Sequence, residues 1–465
     1  MLRPWQSACI EIAVNKFASG SQHFLAQATP GAGKTLMAAN LAKRLFEINS
    51  IDIVVCFSPS KEISDSIKEI FSSVLACEFD GKIGSVGCSI TYQSMRFLPP
   101  KFWSTLAKYR VFCVFDEIHH CGGDSQDNSN SWGQSLLTEV QATATVTLAL
   151  TGTPWRSNLT PVTLASYSDS EGQIVCDYHY SLAQAVHDKV CRQPKIVLVD
   201  CHNSIVSTPD TRDSYRSMSE LIEKGKVSYS VIIQNDDALS HILREAVRRL
   251  QKIRRANKNA GGLIVASSVE HAKYIDKILR EDFKQSTNIV TYKEQNAQNL
   301  INQFRTGNTE WIVSVGMVSE GTDIPRLQVC CHLSNVKTEL HFRQILGRIL
   351  RMTSCDNQEA WFYTFAEPNL NRFAEEIEND IPETCMYIKA KQDLFNNSDI
   401  LTNEANTPFS SQDTLTISKQ KLLWKSNQSE LSALSLKPDD SESTEITLNH
   451  FKQRLIEAFR QTYTA

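Results

Sequence analysis

The chain has 465 residues, which at roughly 100–200 residues per domain corresponds to about two to four domains. Hydrophobic residues make up 41% and charged residues 22% of the sequence, values that are ordinary for a soluble globular protein. The formal net charge of −4 excludes a protein-wide positive field, so any contact with nucleic acid must come from a local basic surface. A helix needs about 18 apolar residues to span a membrane, and no uninterrupted apolar run in the sequence is that long.

The 13 cysteines do not show the Cys-x-x-Cys spacing of a structural zinc site. We expect most of them to be small buried hydrophobic residues, kept reduced in the cytoplasm.

Short apolar, β-branched runs alternate with helical patterns along most of the chain. A first set lies at Phe24–Ala28, Ile53–Phe57, Val111–Phe115 and Thr147–Leu150, and a second at Gly262–Ala266, Trp311–Val315, Val329–Leu333 and Trp361–Phe365. Strands that alternate with helices predict parallel, doubly wound sheets. We therefore expect an α/β protein with two tandem sheet domains.

Changes in composition divide the chain into four parts. We place a first domain at residues 1–195, a connecting region at 196–260, a second domain at 261–375 and a polar extension at 376–465. The connecting region contains a helical pattern from Leu239 to Ile253 whose other face is rich in Arg and Lys. That face is either an ordinary solvated helix surface or a surface that follows nucleic-acid phosphates.

The polar extension is typical of a linker over residues 396–445, which are rich in Ser, Asn, Thr, Asp and Glu. The spacing of Leu448, Phe451, Leu455 and Phe459 predicts a terminal helix. Its apolar face would pack on the body of the protein or bind a partner.

The segment Ala28–Thr35 is a glycine-bearing loop between a predicted strand and a predicted helix, the arrangement of a phosphate-binding loop. Backbone N–H groups and the helix N-terminus would face an anion. Lys34 would reach the β- and γ-phosphates of ATP, and Thr35 would hold Mg²⁺. The remaining loop residues expected around the nucleotide are Pro30, Gly31, Ala32 and Gly33.

A second strand is followed directly by Asp116 and Glu117, at the edge where open α/β sheets bind ligands. Asp116 would bind Mg²⁺ through water, and Glu117 would orient and deprotonate the attacking water. Taken alone, this pair is also typical of a solvated turn.

Two further segments complete the pattern. Residues 148–156 end a strand in Thr and Gly, which alone is a generic turn signal. Near the end of the second domain, Arg348 and Arg351 are spaced to share one helical face. Their guanidinium groups suit the charge of γ-phosphate oxygens, although a basic surface helix gives the same spacing.

Because these segments follow one another in this order, the chain resembles superfamily-two helicases and translocases of the DExH type. The resemblance covers about residues 1–366 and is greatest to the group of type III restriction-enzyme motor subunits and Rad25-like repair helicases. It implies two RecA-like parallel-sheet domains with ATP and Mg²⁺ in the cleft between them, followed by a polar C-terminal extension.

The resemblance also implies residue roles in the first domain. Arg3 and Gln6 match the element that reads adenine. His119 matches a residue that links the nucleotide site to neighbouring motifs. Thr151 and Thr153 match the motif that couples hydrolysis to contact with the strand.

In the second domain, Gly321 and Asp323 match the motif whose Asp approaches the ribose. Gln344, Arg348 and Arg351 match the motif that completes the catalytic site across the cleft. One residue departs from the family pattern, since Val315 stands where many relatives have a Thr that touches a strand phosphate.

Short Ser/Thr clusters resemble the contacts of the family with nucleic acid, although each alone is also typical of a turn or helix cap. The residues are Ser58, Pro59, Thr91, Gln93, Ser267 and Ser268.

By resemblance, the expected activity is ATP-driven unwinding of, or movement along, DNA, which is favoured over RNA by the family group only. One alternative is a double-strand translocase or the motor subunit of a restriction or defence complex, without strand separation. An alternative of another class is a nucleotide-gated switch or scaffold that recruits a protein partner through the extension.

Overall fold

The computed structural model describes residues 2–95, 97–118, 121, 139–152, 166–167, 174–202, 204–207, 211–294, 296–316, 324–355, 357–378, 445–448 and 450–459. Two large sheets of six and seven strands contain the predicted strands, and helices pack on both sheets. The α/β class and the two tandem RecA-like domains are therefore confirmed. Among the described helices, none has the length and apolar character needed to cross a membrane.

The first sheet has the strand order β3-β2-β4-β5-β1-β8, and each pair of neighbours is parallel. The strands up to this point of the chain are β1 His23–Ala28, β2 Ile53–Ser58, β3 Gly87–Thr91, β4 Val111–Phe115, β5 Ala144–Thr151, β6 Ser166–Tyr167, β7 Ile174–Val175 and β8 Tyr178–Tyr180. The helices are α1 Pro4–Ala18, α2 Lys34–Glu47, α3 Lys61–Leu75, α4 Tyr92–Met95, α5 Pro100–Leu106, α6 Gln141–Thr143 and α7 Leu182–His187. The central strands are buried on both faces, as their continuous apolar runs predict.

The second sheet has the order β13-β14-β12-β15-β16-β9-β18, parallel except for its last strand, and β11-β10-β17 form a small separate sheet. The strands are β9 Gln193–Cys201, β10 Ser204–Ser207, β11 Arg212–Tyr215, β12 Gly261–Ala266, β13 Thr287–Thr291, β14 Trp311–Val315, β15 Leu327–Leu333, β16 Glu359–Phe365, β17 Glu445–Thr447 and β18 Phe451–Glu457. The helices are α8 Met218–Glu223, α9 Tyr229–Gln234, α10 Asp236–Ala256, α11 Val269–Glu281, α12 Ala297–Thr306, α13 Glu339–Ile349 and α14 Pro368–Glu378.

The region 196–260, expected to connect the domains, is part of the second domain instead. Strand β9 lies inside the second sheet, in parallel register with β16, because its apolar run Ile196–Val199 is buried there. Helix α10 packs its apolar face on β15 and β16. On its basic face, the Arg249 guanidinium lies 3.5 Å from the centre of the Trp361 ring, and Arg254 donates to Ala260 O.

The predicted terminal helix is wrong. Residues 451–457 form β18, which pairs antiparallel with β9 at the edge of the second sheet. The reason lies in the spacing, because Phe451, Leu455 and Phe459 are separated by even numbers of residues. Such residues share one face of a strand as well as one face of a helix.

Candidate active site

Three neighbouring strands bring the predicted catalytic segments of the first domain together. Strands β4, β5 and β1 lie side by side and point the same way, so the residues that follow them meet at one edge of the sheet. Asp116 and Glu117 follow β4, Gly152 follows β5, and the loop 29–33 follows β1.

The loop after β1 has the backbone form of a phosphate site. Gly33 caps the N-terminus of α2 with a φ of 94°, a left-handed conformation that favours glycine. Lys34 is the first residue of α2 and is only 9% exposed. Its Nζ donates to Ala28 O at 3.1 Å and lies 3.4 Å from Oε1 of Glu117. A helix N-terminus with a cation beside it suits the phosphates of a nucleotide.

Asp116 has the environment of a magnesium ligand. It is 8% exposed, and its Oδ1 receives no hydrogen bond from the described residues. Burial, together with the neighbouring Glu117 charge, raises the pKa of Asp116 to about 7, while Lys34 acts in the opposite direction. A bound cation would favour the ionised carboxylate.

Within the part of the chain that the structure describes, no group of three His, Cys, Asp or Glu side chains could enclose a metal ion. Mg²⁺ commonly keeps several waters and takes one or two protein ligands plus substrate phosphates. Asp116, together with Thr35 at the start of α2, therefore fits a magnesium ion shared with a nucleotide.

Glu117 lies beside the same loop. Its Oε2 accepts a 3.4 Å hydrogen bond from the Gly152 N–H, and its other oxygen faces Lys34. With 25% of its side chain exposed, Glu117 can reach a water molecule while Asp116 is held in the interior. The two carboxylates thus have the different environments that their predicted roles require.

The amino-terminal element contacts the phosphate loop directly. Arg3 Nη1 donates to Ala32 O at 2.6 Å, and Gln6 Nε2 donates to Gly33 O at 2.9 Å. The side chain of Gln6 also accepts from the Arg3 N–H at 2.8 Å. Arg3 and Gln6 therefore support the loop, while their role in reading adenine stays a prediction.

The second domain reaches this site through α13. A Cβ atom placed on Gly347 would lie 2.7 Å from Cβ of Pro30, so the helix and the loop are in close contact there. The position of a Cβ on Gly31 is 3.3 Å from Cγ of Arg351. Burial lowers the pKa of Arg351 to about 10, which leaves it cationic at neutral pH.

A narrow cavity lies between the domains at this contact. Thr29, Pro30, Glu117 and Gly152 line it from the first domain, and Arg343, Gln344, Leu346, Gly347 and Leu350 from the second. The structure thus brings together the predicted Lys34, Glu117, Gln344 and Arg351. Arg348 lies on α13 between Gly347 and the end of the helix.

Of the remaining predicted residues of the active site, one lies next to the cleft and four are not described by the structure. Thr151 is buried at the end of β5, next to Gly152. The predicted His119, Thr153, Gly321 and Asp323 lie outside the described residues.

The hydroxyl groups predicted to touch nucleic acid make local contacts. Ser58 is fully buried and donates to Ser60 O, while Thr91 accepts from the Ser94 N–H. In the second domain, Ser267 bonds to Nδ1 of His271, and Ser268 caps α11 by accepting from the His271 N–H. The role of these four residues in binding nucleic acid stays a prediction. The same holds for Pro59 and Gln93.

Two residues beside the cleft, Cys191 and Arg192, are not predicted by any sequence motif. The Sγ of Cys191 lies 3.8 Å from Pro30 O, and its backbone forms an antiparallel bridge with Arg351. The next residue, Arg192, is buried and makes its contacts inside the second domain. The partners of both residues lie in distant parts of the chain, so no short sequence motif indicates these contacts.

Two family models match separate parts of the chain. Residues 1–156 match the family model of the type III restriction enzyme res subunit, and residues 242–353 match that of the helicase conserved C-terminal domain. A fragment described as an HsdR subunit of a type I restriction enzyme from Vibrio vulnificus has the same fold. Its TM-score is 0.53 at 16% identity, over 80% of this chain and 66% of that one.

Two curated relatives match most of the chain. An uncharacterized protein of Mycobacterium tuberculosis is 28% identical over 392 residues, which are 81% of this chain but only 63% of the relative. The chain thus spans just under two-thirds of the length of that relative. A Sulfurisphaera tokodaii protein named DNA 3'-5' translocase XPB2 is 23% identical over 347 residues, 69% of this chain and 73% of that protein.

The two matched domains lie in order along the chain, and the segments predicted to be catalytic meet in one cleft. The chain belongs to the superfamily-two helicases and is related to the motor subunits of restriction enzymes.

Proposed function

We propose that this protein is an ATP-dependent helicase or translocase that hydrolyses ATP between its two sheet domains and moves along nucleic acid. The observation that carries the proposal is the contact of α13 with the phosphate loop. There, Gly347 meets Pro30 and the Arg351 side chain lies over Gly31. A nucleotide on the loop would therefore touch both domains, and its hydrolysis would change the contact between them.

The residues of the cleft divide the work of hydrolysis. Lys34 would bind the β- and γ-phosphates, and Glu117 would accept the proton of the attacking water. Arg348 and Arg351 would stabilise the charge on the γ-phosphate oxygens from the second domain. Mg²⁺, held by Thr35 and Asp116, would supply neutralisation of phosphate charge.

Movement along a polymer would follow from this split site. The site is complete only when the cleft is closed, so binding of ATP favours closure and release of phosphate favours opening. If each domain holds a different part of one strand, a cycle of closure and opening advances the protein along it. Contacts with phosphates would make this movement largely independent of sequence.

We favour DNA as the polymer, and the archaeal relative named as a DNA translocase supports this choice. The match to the res subunit supports a motor that works beside other proteins in restriction or defence, with the C-terminal extension as a binding surface. Most cysteines of the described residues are buried thiols, which supports a reducing, cytoplasmic location.

The proposal is tested by the ATPase rate of the purified protein with single-stranded DNA, duplex DNA, RNA or no polymer. We expect DNA to increase the rate about tenfold or more, and Lys34→Ala to abolish hydrolysis in every condition. A rate that no polymer changes would favour the nucleotide-gated switch instead. Stimulation by RNA alone would overturn the choice of DNA.

A further inference from the structure

The chain crosses from the first domain to the second at residues 190–193, beside the active site. The backbone N–H of Arg192 donates to Leu350 O at 2.7 Å, and Cys191 pairs antiparallel with Arg351. The crossing segment is therefore hydrogen-bonded to the residues that end α13. On its other side, Cys191 lies against Pro30 of the phosphate loop.

The side chain of Arg192 extends this contact into the second domain. It is 1% exposed, and its guanidinium donates to oxygen atoms from two stretches of the chain, residues 325–327 and 349–358. The acceptors are Leu327 O at 2.5 Å, Ile349 O at 3.2 Å, Pro325 O at 3.3 Å, Thr353 Oγ1 at 3.0 Å and Gln358 Oε1 at 3.2 Å.

Burying this cation is costly. No described carboxylate lies within ion-pair distance of it, and burial lowers the pKa of Arg192 to about 10. Its acceptors are neutral, and one of them is the last carbonyl of α13, where the helix dipole favours a positive charge. A well-packed apolar side chain could fill the same volume but could not join these segments.

We propose that Arg192 is a positioning residue for ATP hydrolysis. It holds the C-terminal end of α13, and with it Arg348 and Arg351, in place against the phosphate loop. Arg192 acts through these arginines and does not touch the nucleotide. This inference rests on the proposed function, because it assigns Arg192 to the same hydrolytic site.

A second buried arginine provides a matched control. Arg326 is 7% exposed, and its pKa is also lowered to about 10 by burial. It donates to three carbonyl oxygens, those of Asn259, Phe304 and Thr309, at 2.6 to 2.7 Å. None of these three acceptors belongs to α13 or to the residues that end it, so Arg326 shares the chemistry of Arg192 without its bond to that helix.

The test compares Arg192→Lys with Arg326→Lys in the full-length protein. A lysine keeps the charge but cannot reach several acceptors at once, so both variants should lower the melting temperature by similar amounts. For Arg192→Lys we expect kcat to fall about tenfold or more, because small displacements of catalytic groups reduce rates strongly. Its affinity for a fluorescent ATP analogue should stay within about threefold of wild type, since Lys34 is unchanged. Arg326→Lys should keep kcat within about twofold.

The outcomes separate this inference from the function on which it rests. Equal loss of kcat in the two variants, measured where both are folded, would mean that Arg192 only stabilises the domain. If Arg192→Lys lowered the affinity for the nucleotide as much as kcat, Arg192 would act on nucleotide binding, and the inference would also be overturned. A wild-type protein that hydrolyses no ATP would overturn the proposed function, and the assignment of Arg192 with it.

Discussion

Glu117 has a backbone φ of 51°, in the left-handed region that is unfavourable for residues with a side chain. Such conformations cost of the order of 1–3 kcal/mol and persist where the surrounding structure holds them. Here the residue before it, Asp116, is fixed at the end of β4, where the Tyr92 hydroxyl donates to its carbonyl oxygen at 2.9 Å. The bend places the Glu117 carboxylate beside Lys34 and Gly152. This is the position required of a base that serves a nucleotide on the loop.

Replacing Glu117 by Gln tests that role. The amide keeps the size of the side chain but cannot accept the proton of the attacking water. We expect kcat for ATP hydrolysis to fall about 10²- to 10⁴-fold, with ATP binding retained. A steady-state assay and nucleotide titration measure the two quantities separately.

Glu47→Gln is the matched control, because Glu47 is an exposed residue at the far end of α2, paired with Arg44. It should leave kcat unchanged. A normal rate in the Glu117 variant would show that another group is the base.

At the scale of elements, the approach of α13 to the phosphate loop requires a glycine. Gly347 lies within α13, where Ala stabilises a helix by about 1 kcal/mol relative to Gly. The position nevertheless cannot accept a Cβ atom while Pro30 stays in place. The contact between the domains is therefore close enough to exclude a single methyl group.

Gly347→Ala should separate stability from catalysis. We expect the melting temperature to stay the same or rise, because of the helix propensity of Ala, while kcat falls about tenfold or more through incomplete closure of the cleft. Thermal unfolding and ATPase assays check the two effects.

Combining this substitution with Pro30→Gly removes the opposing Cβ atom. In the double variant, Gly347→Ala should then cause little further loss compared with Pro30→Gly alone. An undiminished loss would mean that the contact with Pro30 does not limit closure.

The elements that the sequence predicted well are those whose pattern is local. The strand runs, the loop at Ala28–Thr35 and the pair Asp116-Glu117 each contain their own signal within a few residues. The pattern of β18 predicts a helix because β18 is an edge strand with exposed Lys452 and Arg454, so it lacks the continuous apolar run of a central strand. No local pattern predicts Arg192, since its acceptors lie in residues 325–327 and 349–358 and meet it only in the folded domain.

At the scale of the whole molecule, one side of the second sheet is formed by β9 and β18, two strands that are far apart in the chain. Strand β9 enters the sheet directly after the crossing segment, and β18 pairs along it in antiparallel register. Helix α14 packs against β18, and Arg454 forms a 2.5 Å ion pair with Glu375 of that helix. The strand that leads from Arg192 is thus held between β16 and a segment near the C-terminus.

Substitutions of Ile456 and Leu455 test whether β18 contributes to the stability of the protein. Ile456 is fully buried in register with Ile196, whereas its neighbour Leu455 is 46% exposed. We expect Ile456→Ala to lower the free energy of unfolding by about 2–5 kcal/mol, because it leaves a cavity beneath α14. Leu455→Ala removes a similar aliphatic group on the opposite face and should cost only about 1 kcal/mol or less. Urea unfolding of the two variants measures the difference. Equal costs would mean that β18 does not pack against α14, so the C-terminal segment would then have no part in holding β9 beside the active site.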